Sequence, residues 1–204
     1  MTKPIIYTIG HSTHPIAYFL ELLKHYQVNC VVDVRSMPAS RFNPQFNKKP
    51  LASSLSANGI HYLHFGEAFG ARQTDPHLLD DERRVDFEKI RNTEKFKDGI
   101  SRIWKGTHDG YSIALMCSES DPLNCHRFVM ISPALKDFEV RHILKDNSIV
   151  SQENLEEQLL KKFSKALLQI TVFESNTGKS QKLAAAYNMM NKLVGYKPHE
   201  HVKG

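Results

Sequence analysis

The fold class can be predicted from residues 5–34, IIYTIGHSTHPIAYFLELLKHYQVNCVVDV. Its β-rich run 5–9 ends at Gly10 and predicts a first strand. Apolar residues at helical spacing predict a helix over 15–26, and the apolar run 28–34 predicts a second, buried strand. Two strands joined by one helix within about 30 residues form a βαβ unit, which implies a parallel sheet with a right-handed crossover.

The same alternation of strands and helices continues along the chain. Further strands are predicted at 60–65, 111–116 and 140–144, and further helices at 51–57, 85–105 (with a possible break near 92–93) and 123–135. This pattern predicts an α/β domain over 1–146, with three layers and a mostly parallel, Rossmann-like sheet. Two amphipathic patterns, at 151–169 and 179–194, predict a C-terminal helical extension over 147–204 that we expect to pack on the core.

Composition sets limits on the class of protein. The chain has 204 residues, of which 41% are hydrophobic and 24% charged, as expected for a globular protein with a real core. The longest apolar stretches, such as 113–117, are far shorter than the ~20 residues of a spanning helix, so we expect no membrane partner. The first residues do not resemble a secretory signal, and the three cysteines are an odd number. Both features favour a reducing cytoplasm.

The charge of the chain is modestly basic. Lys and Arg (27) exceed Asp and Glu (22) by 5, which favours anionic partners without selecting nucleic acid. Two stretches are basic: a predicted loop over 35–49, which contains Arg35, Arg41, Lys48 and Lys49 and no acidic residue, and the tail 176–204, which has five lysines and one glutamate. Loops of this length in a small domain are usually functional or disordered.

Candidate site residues follow from the predicted sheet. Ligands of an open parallel sheet bind beyond the carboxyl ends of its strands. The residues at those ends that could bind a ligand or take part in catalysis are Gly10, His11, Ser12, Asp33, Arg35, Gly66, Cys117 and Glu119. The predicted helix at 123–135 would also direct its N-terminus, which favours anions, and Arg127 toward this edge.

The leading hypothesis is an intracellular enzyme that acts on a small anionic or nucleotide-like substrate. Arg35, Arg41 and Arg127 would bind the anion, because guanidinium groups suit bidentate recognition. His11, Asp33 and Cys117 would supply acid–base or nucleophilic chemistry, and Gly10 and Gly66 would let the substrate approach the backbone. Ser12 and Glu119 complete the predicted binding residues, and the sequence assigns no cofactor. This hypothesis expects Arg35→Ala to abolish ligand binding without unfolding the domain.

Simpler interpretations of the same residues remain open. Asp33 could cap the turn that follows its strand or pair with Arg35 in an ordinary salt bridge. Cys117 could be a buried core thiol, since free cysteine is among the most buried residue types. Residues 176–180, NTGKS, resemble the end of a phosphate-binding P-loop, but its first glycine would fall at Phe173, so we do not expect a nucleotide site there.

Two further hypotheses belong to other classes of protein. In a nucleic-acid-binding module, Phe42 and Phe46 would stack on bases while Arg41, Lys48 and Lys49 contact phosphates. In a metalloprotein, the ligands would be Cys117, Cys125 and His126. Their spacing, C-x7-C-H, differs from the two to four residues that usually separate structural zinc ligands.

Several short motifs occur in the order known from one protein family. They are TIGHS (8–12), VDVR (32–35), MP (37–38), RFNP (41–44), HYL (61–63), LMC (115–117) and DPLNCHR (121–127). Over about residues 3–144 the chain resembles the domain-of-unknown-function family 488. The resemblance implies a bacterial or archaeal cytoplasmic α/β protein with no established reaction. It also implies that the strand-end residues named above share one site.

Overall fold

One six-stranded sheet forms the centre of the computed structural model, which describes residues 2–173 and 178–198. In chain order the strands are β1 (Ile5–Gly10), β2 (Cys30–Asp33), β3 (His61–His64), β4 (Ile113–Cys117), β5 (Glu139–Ile143) and β6 (Ile149–Ser151). Their order across the sheet is β3-β2-β4-β1-β5-β6, and every pairing is parallel except that of β5 with β6. The predicted α/β class with a mostly parallel sheet is confirmed.

Helices connect and cover these strands. They are α1 (Ile16–His25), α2 (Lys48–Ser56), α3 (Gly66–Phe69), α4 (Phe87–Arg91), α5 (Glu94–His108), α6 (Gln152–Lys162), α7 (Ser164–Phe173) and α8 (Lys179–Val194). The expected break near 92–93 separates α4 from α5, because the Thr93 side chain accepts a hydrogen bond from Phe96 N and so caps a new helix.

The segment 123–135 is not the helix that the sequence predicts. It is wound into a 3₁₀ turn (Pro122–Asn124), a π-helical turn (Arg127–Ile131) and a second 3₁₀ turn (Ser132–Ala134). Cys125 has an extended backbone (φ −129°, ψ 142°), and Pro133 cannot donate a helical hydrogen bond. The expected contribution of a long helix N-terminus to anion binding is therefore wrong.

The chain beyond β5 also differs from the prediction. The sequence predicts no strand after 140–144, but β6 follows and joins the edge of the sheet. The helix expected over 151–169 is two helices, α6 and α7, because Phe163 leaves the helical conformation (φ −102°, ψ 12°). Ser151 caps α6 by accepting a hydrogen bond from Asn154 N.

Two apolar cores lie on opposite faces of the sheet. Successive strand residues point to opposite faces, so Val31 and Val32 of β2 belong to different cores. One core packs α1 and α2 against the sheet through Phe19, Leu22, Leu51 and Leu55. The other packs α3 to α5 and the turns after β4 through Phe69, Phe96, Phe128 and Met130. The sheet is thus the middle of three layers.

The direction of the chain reverses between β1 and β4, which are neighbours in the sheet. From β1 the connection runs toward β2 and β3 and covers one face with α1. From β4 it runs the other way, toward β5, and covers the opposite face with the turns of 122–134. Such a reversal opens a crevice at the carboxyl ends of the two strands, where ligands bind in open α/β sheets.

Helix α8 packs on the face of the sheet that the turns of 122–134 cover. Its Asn191 accepts a hydrogen bond from Phe87 N at 2.7 Å and donates one to Val85 O at 2.9 Å. Beyond the helix, Tyr196 O accepts from Val85 N at 2.9 Å. These bonds fix residues 191–196 against the segment before α4.

Two further predictions concern membrane-spanning helices and the P-loop-like stretch 176–180. Within residues 2–173 and 178–198, every helix is too short or too polar to cross a bilayer. Residues 176 and 177 of the P-loop-like stretch, like residues 199–204 of the predicted extension, lie outside the described residues.

His142 is a fully buried polar residue of β5. Its Nδ1 accepts a hydrogen bond from Thr8 Oγ1 at 2.8 Å, and its Nε2 donates to Gln152 Oε1 at 2.9 Å. Both ring nitrogens are satisfied in the neutral form. Burial therefore lowers the pKa of His142 from 6.5 to about 3.

We expect acid to destabilise the fold through His142. Between pH 6.5 and about 3 the unfolded chain binds a proton at this residue that the folded chain does not, so stability falls as the pH falls. Denaturant titrations between about pH 5 and pH 6 should give a smaller slope for His142→Gln than for the wild type, by about 1 kcal/mol per pH unit. The exposed His77→Gln is the matched control and should keep the wild-type slope.

Candidate functional site

Backbone hydrogen bonds hold the carboxyl ends of β1, β2 and β4 together. Gly10 lies opposite Cys117 in the pairing of β1 with β4. Beyond the strands, His11 N donates to Cys117 O at 2.9 Å and Ser12 N donates to Ser118 O at 2.9 Å. Val34 N donates to Met116 O at 3.0 Å on the other side of β4. The three strand ends therefore form one continuous rim.

A cavity of about 240 Å³ lies at this rim. Its lining combines cationic and polar side chains (Arg35, Ser36, Arg72, Ser118, Asn124), reactive ones (Cys117, Glu119, His126) and apolar ones (Met37, Ala71, Val194, Tyr196). The structure thus brings three of the predicted site residues, Arg35, Cys117 and Glu119, to one cavity. A larger cavity of about 520 Å³ lies away from the rim, next to Gln152 and Tyr187.

Arg35 is buried and bound to Asp33. Its Nε and Nη2 donate to the Asp33 carboxylate at 2.8 and 2.6 Å, and its Nη2 also donates to Phe46 O at 2.8 Å. Its Nη1 contacts His11 Nε2 at 3.1 Å. Asp33, which is 0% exposed, accepts a further bond from Tyr62 Oη at 2.8 Å. Asp33 therefore positions the guanidinium and does not reach the cavity, so its place disagrees with a catalytic role.

His11 is also a buried positioning residue. Its Nδ1 donates to Ser12 O at 2.8 Å, which leaves Nε2 as the acceptor for Arg35. The ring stacks on Phe46 with centroids 4.3 Å apart. Burial, together with the charge of Arg35, lowers the pKa of His11 to about 4 and keeps it neutral near pH 7. It does not line the cavity, so a direct acid–base role is not supported.

Cys117 lies in a cluster at the floor of the cavity. Its Sγ donates to Glu119 Oε2 at 2.7 Å and lies 3.6 Å from His126 Nδ1. Cys125 Sγ contacts the same two atoms, at 3.2 and 3.9 Å. Burial and the neighbouring Cys125 raise the pKa of the Cys117 thiol. Burial alone would also raise the pKa of Cys125, but the hydrogen bond from Cys117 and the charge of Arg127 lower it.

Arg127 does not contact the cavity. It is 0% exposed, and it donates from Nη1 to Glu119 O at 2.5 Å and from Nη2 to Ser120 O at 3.0 Å. From its buried position, Arg127 fixes the loop after β4 through these two bonds. Because Nη1 and Nη2 donate to backbone carbonyls and the residue does not line the cavity, this placement does not support the predicted role of Arg127 in anion binding.

Gly10 and Gly66 allow other residues of the protein to pack closely against the backbone. A Cβ on Gly10 would lie 1.8 Å from Glu119 O, and one on Gly66 would lie 2.5 Å from His64 Nε2. Protein atoms fill the space that was expected to admit the substrate. This packing does not support the predicted role of Gly10 and Gly66 in admitting a substrate.

Ser12 and the basic loop lie outside the cavity. Ser12 occupies a turn with a positive φ of 47°, where its backbone binds His11 and Ser118. Arg41 is exposed on the loop and does not line the cavity. Phe42 is 95% exposed, but Phe46 is fully buried beneath His11 and cannot stack on a base.

Arg72 is the second cation of the cavity, and the sequence does not predict it. Arg72 is exposed, and its guanidinium lies over the Tyr196 ring at 5.7 Å. Its backbone N donates to Ser36 Oγ at 2.9 Å, which ties the 66–80 connection to the residues after β2. Neither Arg72 nor Tyr196 follows a strand, so the strand-end rule gave no signal for them.

Comparison with known proteins gives a family and no named relative. The family model described as "Domain of unknown function DUF488" matches residues 15–132, which is more than half of the 204-residue chain. Neither the curated proteins nor the solved structures contain a match. The matched residues include β2, β4, the cluster and every segment of the cavity wall except 194–196. The chain therefore belongs to the DUF488 family.

Proposed function

We propose that the protein is an enzyme that acts on a small anionic substrate in the cavity at the rim. One observation carries the proposal: the cavity wall contains two guanidinium groups, Arg35 and Arg72, together with Cys117, Glu119 and His126. Perturbed titratable groups in a cleft at the switch point of an α/β sheet are typical of active sites.

The side chains of the cavity would have different roles in binding and catalysis. Arg72 has no acidic partner in the contacts of the described residues, and it supplies an exposed cation whose guanidinium lies over the Tyr196 ring. Arg35 uses four of its five N–H donors on Asp33, Phe46 and His11, so it supplies a fixed charge and one remaining donor. Cys117, Glu119 and His126 lie on the floor and supply the reactive side chains.

The size of the cavity favours a small anion over a nucleotide. Pockets for drug-sized ligands occupy roughly 300–1,000 Å³, whereas this cavity has about 240 Å³. A phosphoryl, sulfuryl or carboxylate group fits such a space together with a short organic substituent. The substrate class is therefore a small phosphorylated, sulfated or carboxylated molecule.

Inorganic phosphate is the simplest probe of this proposal. We expect it to bind the wild type, and Arg72→Gln to weaken binding about tenfold, because one charge-assisted hydrogen bond is lost. Isothermal titration calorimetry measures both dissociation constants. Arg102→Gln removes an exposed arginine that lies over Phe65, outside this cavity, and is the matched control for net charge. Equal weakening in both variants would reject a localised anion site.

A nucleic-acid-binding module is the second candidate, and the exposure of Phe42 favours it. Phe42 lies in the same loop as the exposed Arg41, Lys48 and Lys49. An aromatic ring among cations is the arrangement of single-strand binding surfaces. Filter binding of an oligonucleotide at two salt concentrations tests it, with steep loss at high salt as the expected result and with Phe42→Ala as the variant.

A further inference from the structure

We propose that Cys117, Cys125 and His126, with Glu119, bind one zinc ion at the floor of the cavity. Two cysteine sulfurs, an imidazole nitrogen and a carboxylate oxygen converge there, all within 4.8 Å of one another. The binding of the ion stands on this geometry alone, whereas any part it plays in turnover rests on the proposed function.

The spacing of three donor atoms fits tetrahedral zinc. With Zn–S near 2.3 Å and Zn–N near 2.0 Å, a tetrahedral site separates sulfur from nitrogen by about 3.5 Å. The two sulfurs lie 3.6 and 3.9 Å from His126 Nδ1. A single ion between them would therefore need only small side-chain shifts.

The orientation of His126 is fixed by the core of the protein. Its Nε2 donates to Val34 O, 3.2 Å away and directly after β2. That bond places the proton on Nε2 and leaves the Nδ1 lone pair facing both thiols. Zinc-binding histidines are held in this way, with the second nitrogen bonded to a carbonyl or carboxylate.

The cysteines are also held in place before any ion binds. Cys117 is the last residue of the buried strand β4. Cys125 N donates to Pro122 O at 3.0 Å, and the Asp121 side chain closes the same turn by accepting from Leu123 N at 2.9 Å. Arg127 fixes the intervening loop, and its backbone N lies 3.5 Å from Cys125 Sγ, where it would donate to a thiolate. Rigid supports of this kind are what a metal site requires.

The donor set selects zinc over the hard cations. Two thiolates and an imidazole suit Zn²⁺, whereas Mg²⁺ and Ca²⁺ prefer oxygen ligands. The Glu119 oxygen lies 2.7 Å from Cys117 Sγ, closer than the roughly 3.5 Å between two ligands of one zinc ion. The carboxylate must therefore move outward, and as an exposed residue it can do so.

The fourth position of the ion would face the cavity. Cys117, Glu119 and His126 all line it, so Glu119 can be exchanged for water or for the anionic group of a substrate. Three fixed protein ligands with one exchangeable position distinguish catalytic zinc from structural zinc. Under the proposed function, the ion and Arg35 would meet the same anion.

Elemental analysis of protein purified without chelators tests the site. We expect about one zinc per chain in the wild type and in Cys30→Ser, the matched control, because Cys30 is a buried thiol on β2 outside the cluster. Cys117→Ser and Cys125→Ser should lose most of the zinc. Zinc-free wild type, prepared with a chelator and supplied with Co²⁺, should show thiolate-to-cobalt absorption that added Zn²⁺ removes.

The wild-type results decide the matter even if the serine variants do not fold. Wild-type protein that contains no zinc and gives no cobalt–thiolate absorption would overturn the proposal, as would equal zinc loss in folded Cys30→Ser. Phosphate titration of the same preparations separates the two proposals. If the protein contains zinc but does not bind phosphate, the metal site is supported and the proposed function is rejected. If it binds phosphate but contains no zinc, the proposed function is supported and the metal site is rejected.

Discussion

Arg35→Ala should lower the free energy of unfolding by about 3–5 kcal/mol, because it leaves the buried carboxylate of Asp33 without its counter-charge. Asp33 is 0% exposed, and its bonds from the Arg35 side chain are 2.6 and 2.8 Å long. The remaining donors are Arg35 N and Tyr62 Oη, which cannot neutralise it. Contrary to the sequence-based expectation, loss of ligand binding in this variant would therefore not separate binding from folding.

Urea denaturation followed by circular dichroism measures this effect. Arg141→Ala is the matched control, since Arg141 forms a partly exposed pair with Glu139 and its loss should cost no more than about 1 kcal/mol. The double variant Asp33→Asn/Arg35→Met removes both charges and should recover much of the lost stability. A loss below about 1 kcal/mol in Arg35→Ala would show that water reaches Asp33, against the buried pair described here.

Gly10→Ala should destabilise the protein by about 3 kcal/mol, at the upper end of the range for overpacking. The new Cβ would lie 1.8 Å from Glu119 O and 2.7 Å from Glu119 C, which are backbone atoms that no rotamer change can move. Arg127 holds that carbonyl, so relief requires the loop after β4 to shift as a unit. The shift would displace the cluster, and the cavity would lose its floor.

Thermal and urea unfolding of Gly10→Ala can be compared with Gly178→Ala. Gly178 caps α8 with a φ of −66°, and a Cβ there meets no atom of residues 2–173 or 178–198 within 4 Å, so its change should stay within about 0.5 kcal/mol. Near-wild-type stability of Gly10→Ala would mean that the loop is not packed against β1.

The parts of the fold that depend on local periodicity could be predicted from the sequence. The stretch 5–34 forms β1, α1 and β2 because each run has a single period and clear end signals. The segment 123–135 could not be predicted in this way. Its residues Phe128 to Ile131 are all buried, so no polar face marks a helical period, and Pro133 ends any regular helix.

The candidate site was only partly predictable for a similar reason. Arg35 follows β2 and Cys117 ends β4, so the topology of the sheet was enough to place them at one rim. Arg72 and Tyr196 reach the cavity through the path of the 66–80 connection and through the bonds of Asn191, which are tertiary contacts without a local pattern. The bond between Arg127 and the Glu119 carbonyl has no sequence signal either, because any residue has a carbonyl group.

Amide chemical-shift mapping during a titration with inorganic phosphate determines whether one cavity at the carboxyl ends of β2 and β4 binds a small anion. We expect saturable shifts at the residues that form the wall of the cavity, namely 35–37, 71–72, 117–119, 124, 126, 194 and 196. Arg72→Gln should weaken this response, and Arg102→Gln should not. Shifts centred on the basic loop 41–49, or spread over the surface lysines without saturation, would contradict binding in this cavity.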